Sequence, residues 1–81
     1  MRLDKFLKVS RLIKRRTVAN EAADAGRISV NGRVAKASVL VKPGDIIEIR
    51  FGSTTTKVEV LLVKENLRKD EATQVYSVLE Q

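Results

Sequence analysis

Thr17-Val-Ala-Asn-Glu-Ala-Ala-Asp-Ala-Gly-Arg-Ile-Ser-Val-Asn-Gly-Arg-Val34 changes its hydrophobic period once, and that change divides helix from sheet. Up to Ala25 the apolar positions Val18, Ala19, Ala22, Ala23 and Ala25 recur at helical spacing. Thr17 is a favourable N-cap and Gly26 a favourable stop, so a helix is expected over residues 17–25. Its small side chains let another element approach closely. From Arg27 the period drops to two, with Ile28 and Val30 alternating with Arg27 and Ser29. Asn31-Gly32 is the preferred two-residue hairpin turn, and Val34 continues beyond it.

Toward the N-terminus, Leu3, Phe6 and Leu7 fall at i, i+3 and i+4, which predicts a helix over residues 3–9 with Arg2, Lys5 and Lys8 on its other faces. The segment Ser10-Arg-Leu-Ile-Lys-Arg-Arg16 reads as a turn carrying a basic cluster. Toward the C-terminus, Lys42-Pro-Gly-Asp45 is a turn signal. Ile47, Ile49 and Phe51 alternate with Glu48 and Arg50, and beyond Gly52-Ser53 the residues Val58, Val60 and Leu62 alternate with Lys57, Glu59 and Leu61. Two half-buried antiparallel strands are expected there. Ala72, Val75, Tyr76 and Leu79, spaced as one helical stripe behind Asp70, predict a terminal helix of about ten residues that closes one side of the sheet. The expected class is α+β: a small single domain with two N-terminal helices packed on a mainly antiparallel sheet, plus a short C-terminal helix. The core domain is expected over residues 1–63, with residues 64–81 as a connection and the terminal helix.

Eighty-one residues allow one core. The chain has no cysteine and no histidine, which removes thiolate and imidazole chemistry, disulfides and zinc sites of the usual ligand types. No enzyme activity, cofactor or metal is expected. The N-terminus is interrupted by Arg2, Asp4, Lys5 and Lys8, and the longest purely apolar run is Val60 to Val63, so neither export nor membrane insertion is expected and a cytoplasmic location is. The net charge of +6 is unevenly placed. Residues 1–36 hold ten basic side chains against three acidic ones, and the other 45 residues hold six against seven. That concentration in one half of a folded domain points to a polyanion as partner.

Each cation that neutralises a phosphate releases condensed counterions, and arginine adds a planar fork for two phosphate oxygens. The candidate RNA-binding residues are Arg2, Lys5, Lys8, Arg11, Arg15, Arg16, Thr17, Arg27 and Arg33. Arg2, Lys5, Arg11, Arg15 and Arg16 are expected on one rim, Arg27 and Arg33 on the hairpin, and Thr17 at a helix N-terminus that favours an anion. Asp4 is expected to cap the first helix or orient a neighbouring arginine, whereas Lys14 and Lys36 read as plain solvated charges. Phe6 and Phe51 lie on apolar stripes, so shape and phosphate contacts rather than stacking on aromatic rings are the expected mode.

Arg2-Leu-Asp-Lys-Phe-Leu7, Ser10-Arg11, Arg15-Arg16-Thr17, Gly26-Arg-Ile-Ser-Val-Asn-Gly32 and Val41-Lys-Pro-Gly-Asp45, in this order and spacing, resemble the RNA-binding domain named after the fourth protein of the small ribosomal subunit, the S-four domain. The resemblance spans residues 1–51, with two departures: Ala22-Ala23 stands where many members carry larger aliphatics, and the loop before the second helix is richer in Arg and Lys. Within that superfamily the chain is most similar to short stand-alone members, the heat-shock protein of fifteen kilodaltons and especially the RqcP-type family of Gram-positive bacteria. The resemblance implies a cytoplasmic ribosome-associated quality-control factor, and a monomer is expected. It would bind large-subunit RNA and peptidyl-tRNA on obstructed large subunits and support alanine tailing by an RqcH-type partner. It also marks Arg2 and Arg16 as RNA-contact positions. Because the excess charge is confined to residues 1–36, Arg16→Ala is expected to weaken binding to obstructed large subunits without lowering thermal stability. Three other readings remain beside it. Pseudouridine synthases and tyrosyl-tRNA synthetase carry the same domain beside a separate catalytic one. A general RNA chaperone or a heat-shock-type recycling factor would share the target, and a protein-interaction or anionic-membrane module is disfavoured by Asp70, Glu71 and Glu80 in the terminal helix.

Overall fold

Helix α1 (Leu3–Val9) buries Leu3, Phe6 and Leu7, and α2 (Arg16–Asp24) lays Ala19, Ala22 and Ala23 against the same core. The computed structural model describes residues 1–65, 68, 71 and 74–80. The two helices pack directly on each other, as the run of alanines in α2 allows. α2 starts one residue earlier than its sequence suggests: Arg15 is the extended N-cap residue, and Thr17 falls inside the first turn. A threonine cap is worth about 1 kcal/mol, and the helix start is held more strongly by the side chains of Arg16 and Asn20, described below. The far end follows expectation. Gly26 has φ +75°, its amide donates to the Ala23 carbonyl and the Arg27 amide to that of Ala22, a Schellman closure that needs a residue tolerant of the left-handed region.

Strands β1 (Ile28–Val30), β2 (Arg33–Val34), β3 (Ile46–Phe51), β4 (Thr54–Val60) and β5 (Tyr76–Glu80) form one antiparallel sheet in the order β2-β1-β3-β4-β5. Asn31 and Gly32 both have positive φ, as the β1–β2 turn requires. The core is aliphatic: Ile28, Ile47, Ile49, Val58 and Val60 from the sheet meet Leu3, Phe6 and Leu7 from α1. Phe51 departs from expectation, standing exposed at the end of the β3–β4 hairpin although it continues the Ile47–Ile49 alternation. Leu62 lies beyond the end of β4 and is exposed as well.

The expected terminal helix is not formed by residues 76–80, which pair with β4 instead: Tyr76 with Val60, Ser77 with Glu59, Val78 with Val58 and Glu80 with Lys57, with an irregularity at Lys57/Val58. The same residues satisfy two periods, and the open edge of β4 decides between them. Pairing there satisfies a whole row of backbone groups and lets Val75 become fully buried, which an isolated short helix does not match. Asp70 and Ala72, the expected start of that helix, lie outside the described residues. The expected division at residue 63 is not a division of the sheet, since β5 belongs to it.

Residues 35–45 contain no helix or named strand, so their backbone groups need partners from elsewhere. The N-terminus supplies several. The amides of Leu3 and Asp4 donate to the carbonyls of Val39 and Ala37, and the Val41 amide donates to Met1. Two orphan donors of the α1 first turn are thereby satisfied without an N-cap side chain. The other end of this strap is fastened by Asp45, which is buried and accepts from Asn31 Nδ2 (3.0 Å), the Lys42 amide (2.9 Å) and Lys42 Nζ (3.2 Å). Burial pushes the Asp45 carboxyl up, but the hydrogen bonds from Asn31 and Lys42, with the lysine charge, hold it below the usual carboxylate value. Asn31 Oδ1 also accepts from the Ile46 amide at 2.9 Å, joining the hairpin turn to β3. Asn31→Ala is expected to cost about 2–4 kcal/mol in urea unfolding, from the lost bonds and a left-handed alanine. Asn31→Gly, which keeps the turn geometry, is expected to cost less.

Candidate nucleic-acid interface

Asp4 lies in the first turn of α1 and is 1% exposed, so its carboxylate needs donors from the protein. It has them from three directions. The Lys5 amide donates to Oδ1 at 2.8 Å. Arg2 donates through Nε to Oδ1 at 3.2 Å and through Nη2 to Oδ2 at 3.3 Å. From the other helix, Arg16 donates through Nε to Oδ2 at 3.0 Å and through Nη2 to Oδ1 at 3.4 Å, and Asn20 Nδ2 donates to Oδ2 at 2.9 Å. Arg16 and Asn20 are one helical turn apart, so a single face of α2 delivers both. Burial pushes the Asp4 carboxyl up; hydrogen bonds from Arg16, Asn20 and the Lys5 amide, together with the Arg16 charge, outweigh it and leave the group below its ordinary value.

The arrangement fixes two guanidinium groups whose side chains remain 47% and 43% exposed for Arg2 and Arg16. A guanidinium carries five N–H donors. Each of these spends its Nε donor and one Nη2 donor on Asp4, so three of its five donors are not used there. Two positive forks with preset orientation at the junction of α1 and α2 suit closely spaced phosphates.

The other candidates are placed less alike. Lys8, Arg11 and Arg15 are exposed along α1 and the turn that follows it, and form no ion pair among the described residues. Arg11 has φ +62°, a left-handed conformation that closes α1 with its amide donating to the Lys8 carbonyl. Lys5 Nζ is 3.1 Å from Glu65, an exposed pair whose contribution is at most about 1 kcal/mol. Thr17 is exposed and caps nothing, which corrects the role expected of it. Arg27 and Arg33 line two separate grooves, one beside Phe51 and one beside Val34 and Leu40, and neither shares Asp4. The orienting role expected of Asp4 is what the geometry shows. Asn20 was not legible as a partner: the i, i+4 spacing of Arg16 and Asn20 is visible, but its meaning depends on the register of α1 against α2.

Residues 1–47 match the S4 domain family. The RQC P-site tRNA stabilizing factor of Halalkalibacterium halodurans is 62% identical over 78 residues, covering 96% of this chain and 89% of that protein. The protein of the same name from Bacillus subtilis is 58% identical over 81 residues, covering 100% and 94%. Among solved structures, heat shock protein 15 of Vibrio cholerae superimposes with a TM-score of 0.88 at 32% identity, covering 96% of this chain and 80% of that one.

Because the Asp4 carboxyl titrates lower in the folded chain than in the unfolded one, its stabilisation is complete above the ordinary value of 3.8 and disappears as pH falls through the lowered one. Asp4→Asn is expected to lower stability at neutral pH by about 1.5–3 kcal/mol, the range for hydrogen bonds to a charged group. The gap to the parent chain should narrow as the pH drops below that ordinary value. Thermal unfolding followed by circular dichroism across that range measures it, and a gap independent of pH would refute the assignment.

Proposed function

The chain belongs to the S4 domain family, and on that premise we propose that it is an RNA-binding factor of ribosome-associated quality control that stabilises tRNA in the P site of obstructed large subunits. The observation that carries this reading is the pair of guanidinium groups held on Asp4, because it turns a general excess of positive charge into two oriented donors. Arg2 and Arg16 take phosphates of large-subunit RNA or the tRNA body. Lys5, Lys8, Arg11 and Arg15 extend the contact along the same helix pair, and Arg27 and Arg33 make outlying contacts. The chain acts without catalysis, as a monomer in the cytoplasm, and supports alanine tailing by an RqcH-type partner on the same subunit. No helix among the described residues is long and apolar enough to cross a membrane. A second reading, a heat-shock-type recycling factor for the same subunit, is favoured by the likeness to heat shock protein 15. Formation of alanine tails in cells lacking this chain separates the two, since only the first reading requires their loss.

Arg16→Ala removes one fork and is expected to weaken association with obstructed large subunits by about 10- to 100-fold, the loss of a charge-assisted pair. The slope of log affinity against log salt should fall by about 1. The variant also loses donors to a buried carboxylate, so its thermal stability should drop, contrary to the expectation from sequence alone; binding is therefore compared well below its unfolding temperature. Unchanged affinity and salt slope in co-sedimentation would overturn the reading.

A further inference from the structure

Phe51 is 41% exposed, whereas Ile49 and Ile47, two and four positions earlier on the same strand face, are 4% and 0% exposed. It forms one wall of an open groove of about 270 Å³, opposite Val18, Ala22 and Ala25 of the α2 side and flanked by Arg27 and Glu21. Val18 is itself 38% exposed, so an aromatic ring and a branched aliphatic side chain are both left in water in a domain with only three aromatic residues. The backbone at the groove's edge is fixed, since the Arg50 amide donates to the Arg27 carbonyl at 2.9 Å. The side chains of Arg27 and Glu21 are exposed and form no ion pair among the described residues.

We infer that this groove takes one unpaired nucleobase of the bound RNA, an inference that rests on the RNA-binding reading. Phe51, Val18, Ala22 and Ala25 form an apolar, partly aromatic wall that suits the flat face of a base, and Arg27 and Glu21 supply the polar part of the lining. Glu21 repels a phosphate but can accept from the exocyclic amino group of a base. Arg27 supplies the complementary charge for the adjoining phosphate, or a second stacking plane. The groove opens on the flank of α2 away from the face that carries Arg16 and Asn20, so a strand gripped at Asp4 and a base in this groove would hold the helix from both sides. Uracil lacks the amino donor, so adenine and cytosine are preferred to it.

The test titrates the full chain with single-stranded tetra-adenylate RNA at low salt, following the Val18 methyl and Phe51 ring signals by nuclear magnetic resonance. Both sets of signals should shift, and tetra-uridylate should bind more weakly. Phe51→Ala and Phe51→Leu should each weaken tetra-adenylate binding by about 5- to 100-fold, the range found for removing one stacking partner, while Phe51→Tyr retains it. The exposure of the ring makes these variants foldable, which their thermal unfolding checks. Tetra-adenylate binding that is equal in Phe51→Ala and the parent chain, or equal for Phe51→Leu and the parent, would overturn the proposal. So would a loss confined to large subunits with tetra-adenylate binding intact, which would assign the groove to a protein. If Phe51→Ala has no effect while Arg16→Ala still weakens subunit binding, the groove proposal fails and the functional reading stands. The reverse pattern leaves the groove and removes the reading.

Discussion

A carboxylate closed off from water at Asp4 stays charged only if donors reach it, and this requirement ties together parts of the chain that are otherwise independent. Arg2 comes from the residue before α1, Arg16 and Asn20 from α2, and the Lys5 amide from α1 itself. The charge is therefore a structural joint between two helices too short to be stable alone. The same joint aims the guanidinium groups. An exposed arginine in water samples many rotamers and loses that freedom on binding; Arg2 and Arg16 have lost much of it on folding, which lowers the cost of association.

The strap formed by residues 35–45 serves this arrangement from the other side. Its carbonyls at Ala37 and Val39 take the first amides of α1, so the residue that carries the Arg2 side chain is fixed by backbone pairing as well as by its ion pair. Asp45 repeats the device on a smaller scale, a buried carboxylate that gathers a turn asparagine and a lysine. In both places a buried acidic residue in a basic half, or at its border, marks a point of organisation rather than a gap in the charge.

Local signals were legible where one period or one turn chemistry decided the outcome. Leu3, Phe6 and Leu7 could only form a helical stripe, Asn31-Gly32 could only make its hairpin, and Gly26 could only end α2. In the C-terminal segment Val75, Tyr76 and Leu79 fit helical spacing as well as Tyr76 and Val78 fit a strand, and the deciding fact is an unpaired β4 edge far away in sequence. Phe51 departs from its pattern for a related reason: alternation tells which face of a strand a residue lies on, not how far cover extends along it. At the interface, the basic residues were visible as a set, but which two converge on Asp4 depended on the contact between helices.

The buried side of α2 is all alanine. Ala19, Ala22 and Ala23 are the residues that this helix buries, so the side it turns to the core projects no further than single methyl groups, like the jaw of a calliper closed on a thin gauge. A bulkier side chain at Ala19, which is fully buried, would push α2 outward and swing Arg16 away from its anchor, although residue 19 itself lines neither the groove nor the Asp4 site. Selection on ligand grip would thus be felt as a ceiling on side-chain volume deep inside the protein.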